Sequence, residues 1–187
     1  MEKEREEQVI SLCQKLIQQK SYSGEESGVV GVLSENMKQM GFDEVTVDKY
    51  GNIIGCIKGN RPGKKVLFDG HIDTVPVTEE AEWLYPPFAA EIHDGKIYGR
   101  GTSDMKGAVA AMTCAASNYA KDTGKDFAGE IYVAGVVHEE CFEGVAAREI
   151  SKNVRPDYVV IGEASQLNLK IGQRGRAEIV IETFGKP

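Results

Sequence analysis

A histidine and an aspartate stand two residues apart just after a short apolar run, within residues 66–76. The apolar residues 66–68 predict a buried strand, and alternation in extended chain places His71 and Asp73 on the same side. A metal-binding histidine gives one ring nitrogen to the metal while a neighbouring acceptor holds the other, and Asp73 can be that acceptor. A histidine in an ordinary turn after a strand gives the same pattern, so the assignment depends on further ligands along the chain.

A second candidate ligand is Asp104, which follows two glycines and a Thr-Ser pair within residues 98–107. An apolar stretch rich in small side chains comes next and predicts a long helix that begins near Asp104. Aspartate is also a preferred helix N-cap, so its position alone is compatible with a purely structural role. A phosphate-binding loop is a further alternative, although the stretch lacks the Gly-Lys-Ser/Thr ending of such loops.

Acidic residues also end two further apolar runs. Residues 130–137 are β-branched and apolar enough for an inner strand, and His138, Glu139 and Glu140 follow them. Two adjacent carboxylates repel each other unless a cation or a proton lies between them, although solvated glutamates ahead of a helix are the alternative. The second of these runs, residues 158–161, is followed by Gly162 and Glu163.

The carboxyl ends of strands in an open α/β sheet are where ligands bind, so these acidic groups are expected to converge. Several carboxylates and one imidazole in a dry crevice are tolerable only around a metal ion. Such a ligand set suits Zn²⁺, with Co²⁺ or Mn²⁺ as alternatives.

The elements around these residues alternate between helical and extended patterns. Apolar residues at helical spacing predict helices over residues 4–19 and 29–40, with Gly41 as the cap of the second. The remaining expectations are strands at 44–50, 53–58 and 158–161, a turn at 61–64, a hairpin over 91–98 with His93 exposed and uninvolved, and a helix at 144–151. The aromatic, proline-rich residues 83–88 are expected to form a loop that either lines a substrate cleft or covers the core.

Composition excludes several classes of protein. With 187 residues, 41% of them hydrophobic, a domain with a core is expected rather than disorder. The net charge of −7 and the absence of a basic run argue against nucleic acid or an anionic membrane as a partner. The four cysteines form no Cys-x-x-Cys pair and are expected to be buried free thiols in a reducing cytoplasm. No uncharged stretch approaches the length of a membrane span, and the acidic N-terminus does not resemble a signal peptide.

Four stretches together resemble the signatures of a known family. They are residues 70–76 (Gly-His-Ile-Asp-Thr-Val-Pro), residues 99–107 (Gly-Arg-Gly-Thr-Ser-Asp-Met-Lys-Gly), Glu139–Glu140, and Gly162–Glu163. In order and spacing they are similar to the di-zinc peptidases and amidohydrolases that include acetylornithine deacetylase, succinyl-diaminopimelate desuccinylase, aminoacylase and glutamate carboxypeptidase. The resemblance implies a three-layer αβα catalytic domain with a mostly parallel mixed central sheet.

The resemblance also implies roles for individual residues. His71, Asp104 and Glu163 would hold a first metal, and Asp104 would bridge to a second metal bound by Glu140. Asp73 would orient His71, and Glu139 would be the general base. The implied reaction is hydrolysis of the amide bond of a small N-acyl amino acid or short peptide with two Zn²⁺. The family pattern further implies a cis peptide after the bridging aspartate.

The chain is shorter than the family pattern. By the resemblance, residues 1–175 are the N-terminal part of the catalytic domain, and residues 176–187 start a lid and dimerisation domain whose remainder is missing, with residues 176–183 as its first strand. A late histidine ligand to the second metal would lie in the missing part. We therefore expect the fragment alone to be inactive and the full-length protein to form a homodimer through the lid. Two alternatives are a binding or regulatory module that kept the fold without activity, and a fragment whose exposed sheet edge pairs with another copy.

Overall fold

The computed structural model describes residues 2–172, 175, 177 and 179–185. The helices are α1 (Glu2–Gln18), α2 (Ser27–Gln39), α3 (Gly107–Thr123), α4 (Glu139–Phe142) and α5 (Val145–Val154), with a short 3₁₀ turn at Glu80–Glu82. The strands are β1 (Glu44–Val47), β2 (Ile53–Lys58), β3 (Arg61–His71), β4 (Glu91–His93), β5 (Lys96–Tyr98), β6 (Ala128–Val136) and β7 (Tyr158–Ile161). The predicted helices, the hairpin and the inner strands are all present, with their ends displaced by a few residues.

The central sheet has five strands in the order β1-β2-β6-β3-β7. The β1–β2 and β2–β6 pairs are antiparallel, whereas β3 runs parallel to both β6 and β7. The sheet is therefore mixed, as expected. Because β3, β6 and β7 run in the same direction, the segments that follow them leave from the same edge, and these segments carry the acidic residues.

Helices cover both faces of the sheet, which gives the expected three layers. A methyl group added at Gly55 of β2 would lie 2.7 Å from the sulfur of Met37, and one at Gly70 of β3 would lie 2.9 Å from Val109. These contacts place α2 and α3 against the sheet. Lys65 and Gly70 are five residues apart on β3, so they face opposite sides of the sheet. The ammonium group of Lys65 donates to the carbonyl of Val154 at 3.2 Å, which places α5 on the face opposite α2 and α3.

The first two helices bury the apolar stripes that their spacing predicts. In α1 the side chains of Leu12, Leu16 and Ile17 are at most 1% exposed, and in α2 Leu33 and Met37 are fully buried. Burial of each such side chain contributes roughly 1.5–3 kcal/mol, so the two stripes fix both helices on the sheet.

Gly41 ends α2 as expected, because it adopts a φ of +87° and its N–H donates to the carbonyl of Lys38 at 3.2 Å.

Three expectations about the sheet, the long helix and the cysteines are wrong. The predicted turn at residues 61–64 is the start of β3, whose register against β6 shifts between Arg61 and Lys65 and so absorbs the proline and glycine. The long helix begins at Gly107 rather than at Asp104, because Asp104 and Met105 have non-helical dihedral angles. Cys141 is exposed in α4, while the other three cysteines are buried as predicted.

The C-terminal expectations fall partly outside the described residues, which exclude residues 173, 174, 176, 178, 186 and 187. Residues 179–183, which are described, do not form the predicted strand. Within the described part of the chain, no helix has both the length and the apolar character needed to cross a membrane.

Candidate metal centre

His71 is the last residue of β3 and is 2% exposed. Its Nε2 lies 2.9 Å from Asp104 Oδ1 and 3.7 Å from Glu163 Oε1. Its Nδ1 lies 2.9 Å from the backbone carbonyl oxygen of Asp73, whereas the nearer Asp73 carboxylate oxygen is 3.6 Å away. The backbone carbonyl of Asp73, rather than its carboxylate, therefore lies at hydrogen-bond distance from the ring, which leaves Nε2 facing the acidic residues.

Asp104 lies in an irregular segment, Thr102–Lys106, between the β4–β5 hairpin and α3. Its peptide bond to Met105 is cis, as the family resemblance implies. Its φ of −130° and ψ of 94° are extended, and its side chain makes no N-cap hydrogen bond to the helix that follows among the described contacts. The structural alternative for Asp104, a helix cap, is thus not realised, and its carboxylate points to His71 instead.

Glu140 completes a group of three candidate ligands. One ligand atom from each of His71, Asp104 and Glu140 lies within 4.8 Å of the other two. Glu163 follows β7 and reaches the same imidazole from the neighbouring strand, since β7 pairs with β3. The structure thus brings together all four residues that the sequence proposed as ligands: His71 at the end of β3, Glu140 and Glu163 after β6 and β7, and Asp104 in the irregular segment before α3.

The electrostatics of the group are those of crowded carboxylates. Burial raises the pKa of both Glu139 and Glu140, and their acidic neighbours, Glu163 among them, raise it further against the opposing effect of His71. Burial by itself lowers the pKa of His71, but its hydrogen bonds to Asp104 and to the Asp73 carbonyl outweigh burial and raise it. A cation among these groups would favour the ionised carboxylates and the neutral imidazole.

The donor set fits a divalent metal ion. One imidazole with several carboxylate oxygens is a ligand set found for zinc and related ions, and the second imidazole nitrogen is held by a carbonyl, as metal-binding histidines require. Glu139 lies beside Glu140, and its ligating atoms do not belong to the three-residue group.

Asp73 has a second task that the sequence did not indicate. Its side chain is fully buried and accepts hydrogen bonds from Ser23 Oγ at 2.6 Å and from the backbone N–H groups of Glu139 and Glu140, each at 3.1 Å. These bonds hold the start of α4 at the metal centre. The relevant sequence signal was weak, because Ser23 is 50 residues from Asp73 along the chain.

Two further ionisable side chains near the centre were missed, of which Asp69 is half-buried and Lys106 fully buried. Asp69 lies on β3 two residues before His71, and burial together with Glu163 raises its pKa to about 6. Lys106 is fully buried, and its ammonium group donates to the carbonyls of Leu16 at 3.0 Å and Gln19 at 2.8 Å, which joins the Asp104 segment to the end of α1. Burial lowers the pKa of Lys106 to about 8.

The other two histidines lie outside the ligand group. His93 is half-buried rather than exposed, because its ring stacks on that of Tyr85 with a centroid distance of 3.8 Å and its Nε2 lies 2.7 Å from Glu91 Oε2. Trp83 packs against Arg100, so the aromatic loop covers the hairpin side of the domain.

His138 precedes Glu139 in a left-handed conformation and contacts Phe142 edge-on.

Comparison with known proteins agrees with this geometry. Escherichia coli (strain K12) protein YgeY is 38% identical over 167 residues, which cover 88% of this chain and 41% of YgeY. Succinyl-diaminopimelate desuccinylase 2 of Ruegeria sp. (strain TM1040) is 31% identical over 94% of this chain and 47% of its own length. The chain thus spans about half the length of the curated relatives it matches.

The fold has solved counterparts. The crystal structure of an M20 family metallo-carboxypeptidase from Sulfolobus solfataricus superposes with a TM-score of 0.70 at 22% identity, covering 82% of this chain and 37% of that one. The sequence profile of Peptidase family M20/M25/M40 matches residues 67–186, which include His71, Asp104, Glu140 and Glu163. The chain therefore belongs to peptidase family M20/M25/M40.

Proposed function

We propose that the protein is a metal-dependent hydrolase that cleaves the amide bond of a peptide or of an N-acyl amino acid. The observation that carries the proposal is the convergence of His71, Asp104 and Glu140 within 4.8 Å, with Glu163 on the same imidazole. Family membership and the relative named as a desuccinylase support amide hydrolysis.

The proposed ligands follow from the geometry and the family resemblance. His71, Asp104 and Glu163 hold one ion, while Asp104 and Glu140 contribute to a second. Zn²⁺ is the proposed metal, with Co²⁺ and Mn²⁺ as alternatives that accept the same donors. When bound, such ions would lower the pKa of a coordinated water molecule and polarise the carbonyl group of the substrate.

Glu139 is the proposed general base. Its pKa is raised by burial, which brings its affinity for protons closer to what neutral-pH proton transfer requires. It takes a proton from the attacking water and delivers it to the departing amine, so one carboxylate serves both steps. Asp73 contributes by holding the N–H of Glu139, and it fixes the His71 ring through its carbonyl.

The proposal is tested with the Glu139→Gln variant of the full-length protein, assayed on N-acetyl, N-succinyl and dipeptide substrates with added Zn²⁺, Co²⁺ or Mn²⁺. Loss of the base should lower kcat by about 10²- to 10⁴-fold. Metal content, measured by atomic emission, should stay at the wild-type level, whereas Glu140→Gln should lose metal. Glu79→Gln, an exposed glutamate, is the matched control. Undiminished turnover in Glu139→Gln would refute the role of Glu139.

Two broader expectations remain proposals. A cytoplasmic location is supported by four free cysteines, three of them buried. Dimerisation through a lid domain, and the division at residues 175 and 176, rest on the family resemblance alone.

A further inference from the structure

Two buried carboxylates hold three consecutive backbone N–H groups at the metal centre. Glu26 Oε1 accepts from the N–H of His138 at 3.1 Å, while Asp73 accepts from the N–H groups of Glu139 and Glu140, also at 3.1 Å. The side chain of Asp73 is fully buried, and Glu26 is 5% exposed. Asp73 lies two residues after the end of β3, whereas Glu26 lies 112 residues from His138, in the segment between α1 and α2.

Residues 138–140, which these carboxylates hold, do not determine their own backbone conformation. His138 has a φ of +57° and a ψ of 24°, a left-handed backbone conformation that costs free energy for residues other than glycine. The helix that follows, α4, has four residues, too few to be stable through its own hydrogen bonds. The orientation of the Glu139 side chain therefore depends on contacts with the rest of the protein.

Glu26 is itself anchored for this task. Its Oε1 also accepts from the N–H of Gly24 at 2.9 Å, and its backbone carbonyl accepts from the N–H of Val30 at 3.0 Å, at the start of α2. Glu26 stands at the N-cap position of α2, yet its side chain makes no capping hydrogen bond to that helix. Its carboxylate is committed to His138 and Gly24 instead, so a helix-capping role does not account for its burial.

We propose that Glu26 is a positioning residue for the hydrolytic reaction. By accepting the hydrogen bond of the His138 N–H, it fixes the left-handed turn that directs Glu139 toward the metal ligands. This role rests on the proposed function of Glu139 as general base. The same Oε1 also lies 3.6 Å from Nδ1 of the His138 ring, beyond hydrogen-bond distance, whereas both of its hydrogen bonds come from neutral backbone groups. The accepting oxygen is therefore expected to matter more than the negative charge.

Two conservative variants of the full-length, metal-loaded protein separate the effect of the accepting oxygen of Glu26 from the effect of its negative charge. Glu26→Gln keeps an accepting oxygen at the same distance along the side chain and loses the charge. Glu26→Asp keeps the charge and withdraws the oxygens by about 1.5 Å, one carbon–carbon bond. Glu25→Gln, an exposed neighbour, is the control. The readouts are kcat and KM, metal content, and hydrogen exchange of the amides at residues 138–140.

Glu26→Asp is expected to lower kcat by about 10- to 100-fold, with KM and metal content near wild type and faster exchange at His138. Glu26→Gln is expected to stay within about threefold of wild type in kcat, with exchange still slow. The reverse order, in which Gln is impaired and Asp is not, would overturn the role, as would unaltered exchange in Glu26→Asp. Absence of hydrolysis in the wild-type protein would instead overturn the proposed function, and the exchange measurement would still decide whether Glu26 fixes the turn.

Discussion

Replacing Asp69 by asparagine should stabilise the metal-free protein above neutral pH. Asp69 lies on β3 between Ala134 of β6 and Ile161 of β7, and burial followed by the charge of Glu163 raises its pKa from 3.8 to about 6. A carboxyl group whose pKa is higher in the folded state holds its proton more tightly there. Its contribution to stability is therefore complete below about pH 4 and is lost as the pH rises through about 6.

The magnitude follows from the size of this change. Each pKa unit corresponds to about 1.4 kcal/mol, so the rise from 3.8 to about 6 costs the ionised form about 3 kcal/mol of folding free energy above pH 7. Asparagine resembles the protonated acid in shape and cannot ionise. The variant should therefore gain up to about 3 kcal/mol at pH 8, equivalent to a rise in Tm on the order of 6–12 °C, and gain nothing at pH 4.

The assay is urea unfolding of the wild-type and Asp69→Asn proteins in EDTA at pH values from 4 to 8. Glu163 and His71 interact with Asp69, so their titrations also change in the variant, and the difference between the two proteins reports the coupled group. Asp126→Asn, at an exposed ion pair with Arg61, is the control and should change stability by less than about 1 kcal/mol. A difference between Asp69→Asn and wild type that does not grow between pH 4 and pH 8 would refute the argument.

Three more predictions concern a buried lysine, a buried glycine and the exposed cysteine. Lys106→Met removes the ammonium group that donates two hydrogen bonds to carbonyls at the end of α1, so it should lower the unfolding free energy by about 1–3 kcal/mol. It should also weaken the binding of added Zn²⁺ in a calorimetric titration. Unchanged Zn²⁺ affinity would show that the Asp104 segment does not need this anchor. Gly70→Ala would bring its methyl group 2.7 Å from Met105 and should lower the unfolding free energy, measured in urea, by about 1–3 kcal/mol. Gly31 of α2 has open space around it, so Gly31→Ala should raise the unfolding free energy by about 0.5–1 kcal/mol. Equal effects of the two alanines would contradict the packing argument. Cys141 should react first with iodoacetamide in the native protein, as mapped by mass spectrometry, because it alone among the four cysteines is exposed; earlier labelling of a buried cysteine would disprove this order.

Much of the fold could be predicted because its signals are local. The stripes of α1 and α2, the β4–β5 hairpin and the apolar strands depend on side chains within a few residues of one another. The start of β3 was missed because Pro62 and Gly63 are typical of turns, while pairing with β6 across a register shift holds them in the strand. The start of α3 was missed because the irregular backbone at Asp104 is imposed by packing and not by residue preference.

The sequence by itself determined the candidate chemistry of the site: one histidine and several acidic residues at or near the ends of apolar runs. Parallel strands bring such residues to one edge, so convergence of His71, Glu140 and Glu163 followed from topology, whereas Asp104 reaches them from the irregular segment before α3. The tertiary structure alone decided which atoms hold these side chains in place. The Asp73 carbonyl holds the His71 ring, while the Asp73 carboxylate and Glu26 hold the segment around Glu139. The bonds of the Asp73 carboxylate and of Glu26 reach backbone groups 66 and 112 residues away in sequence, and because every residue offers the same N–H and carbonyl, no residue pattern specifies them.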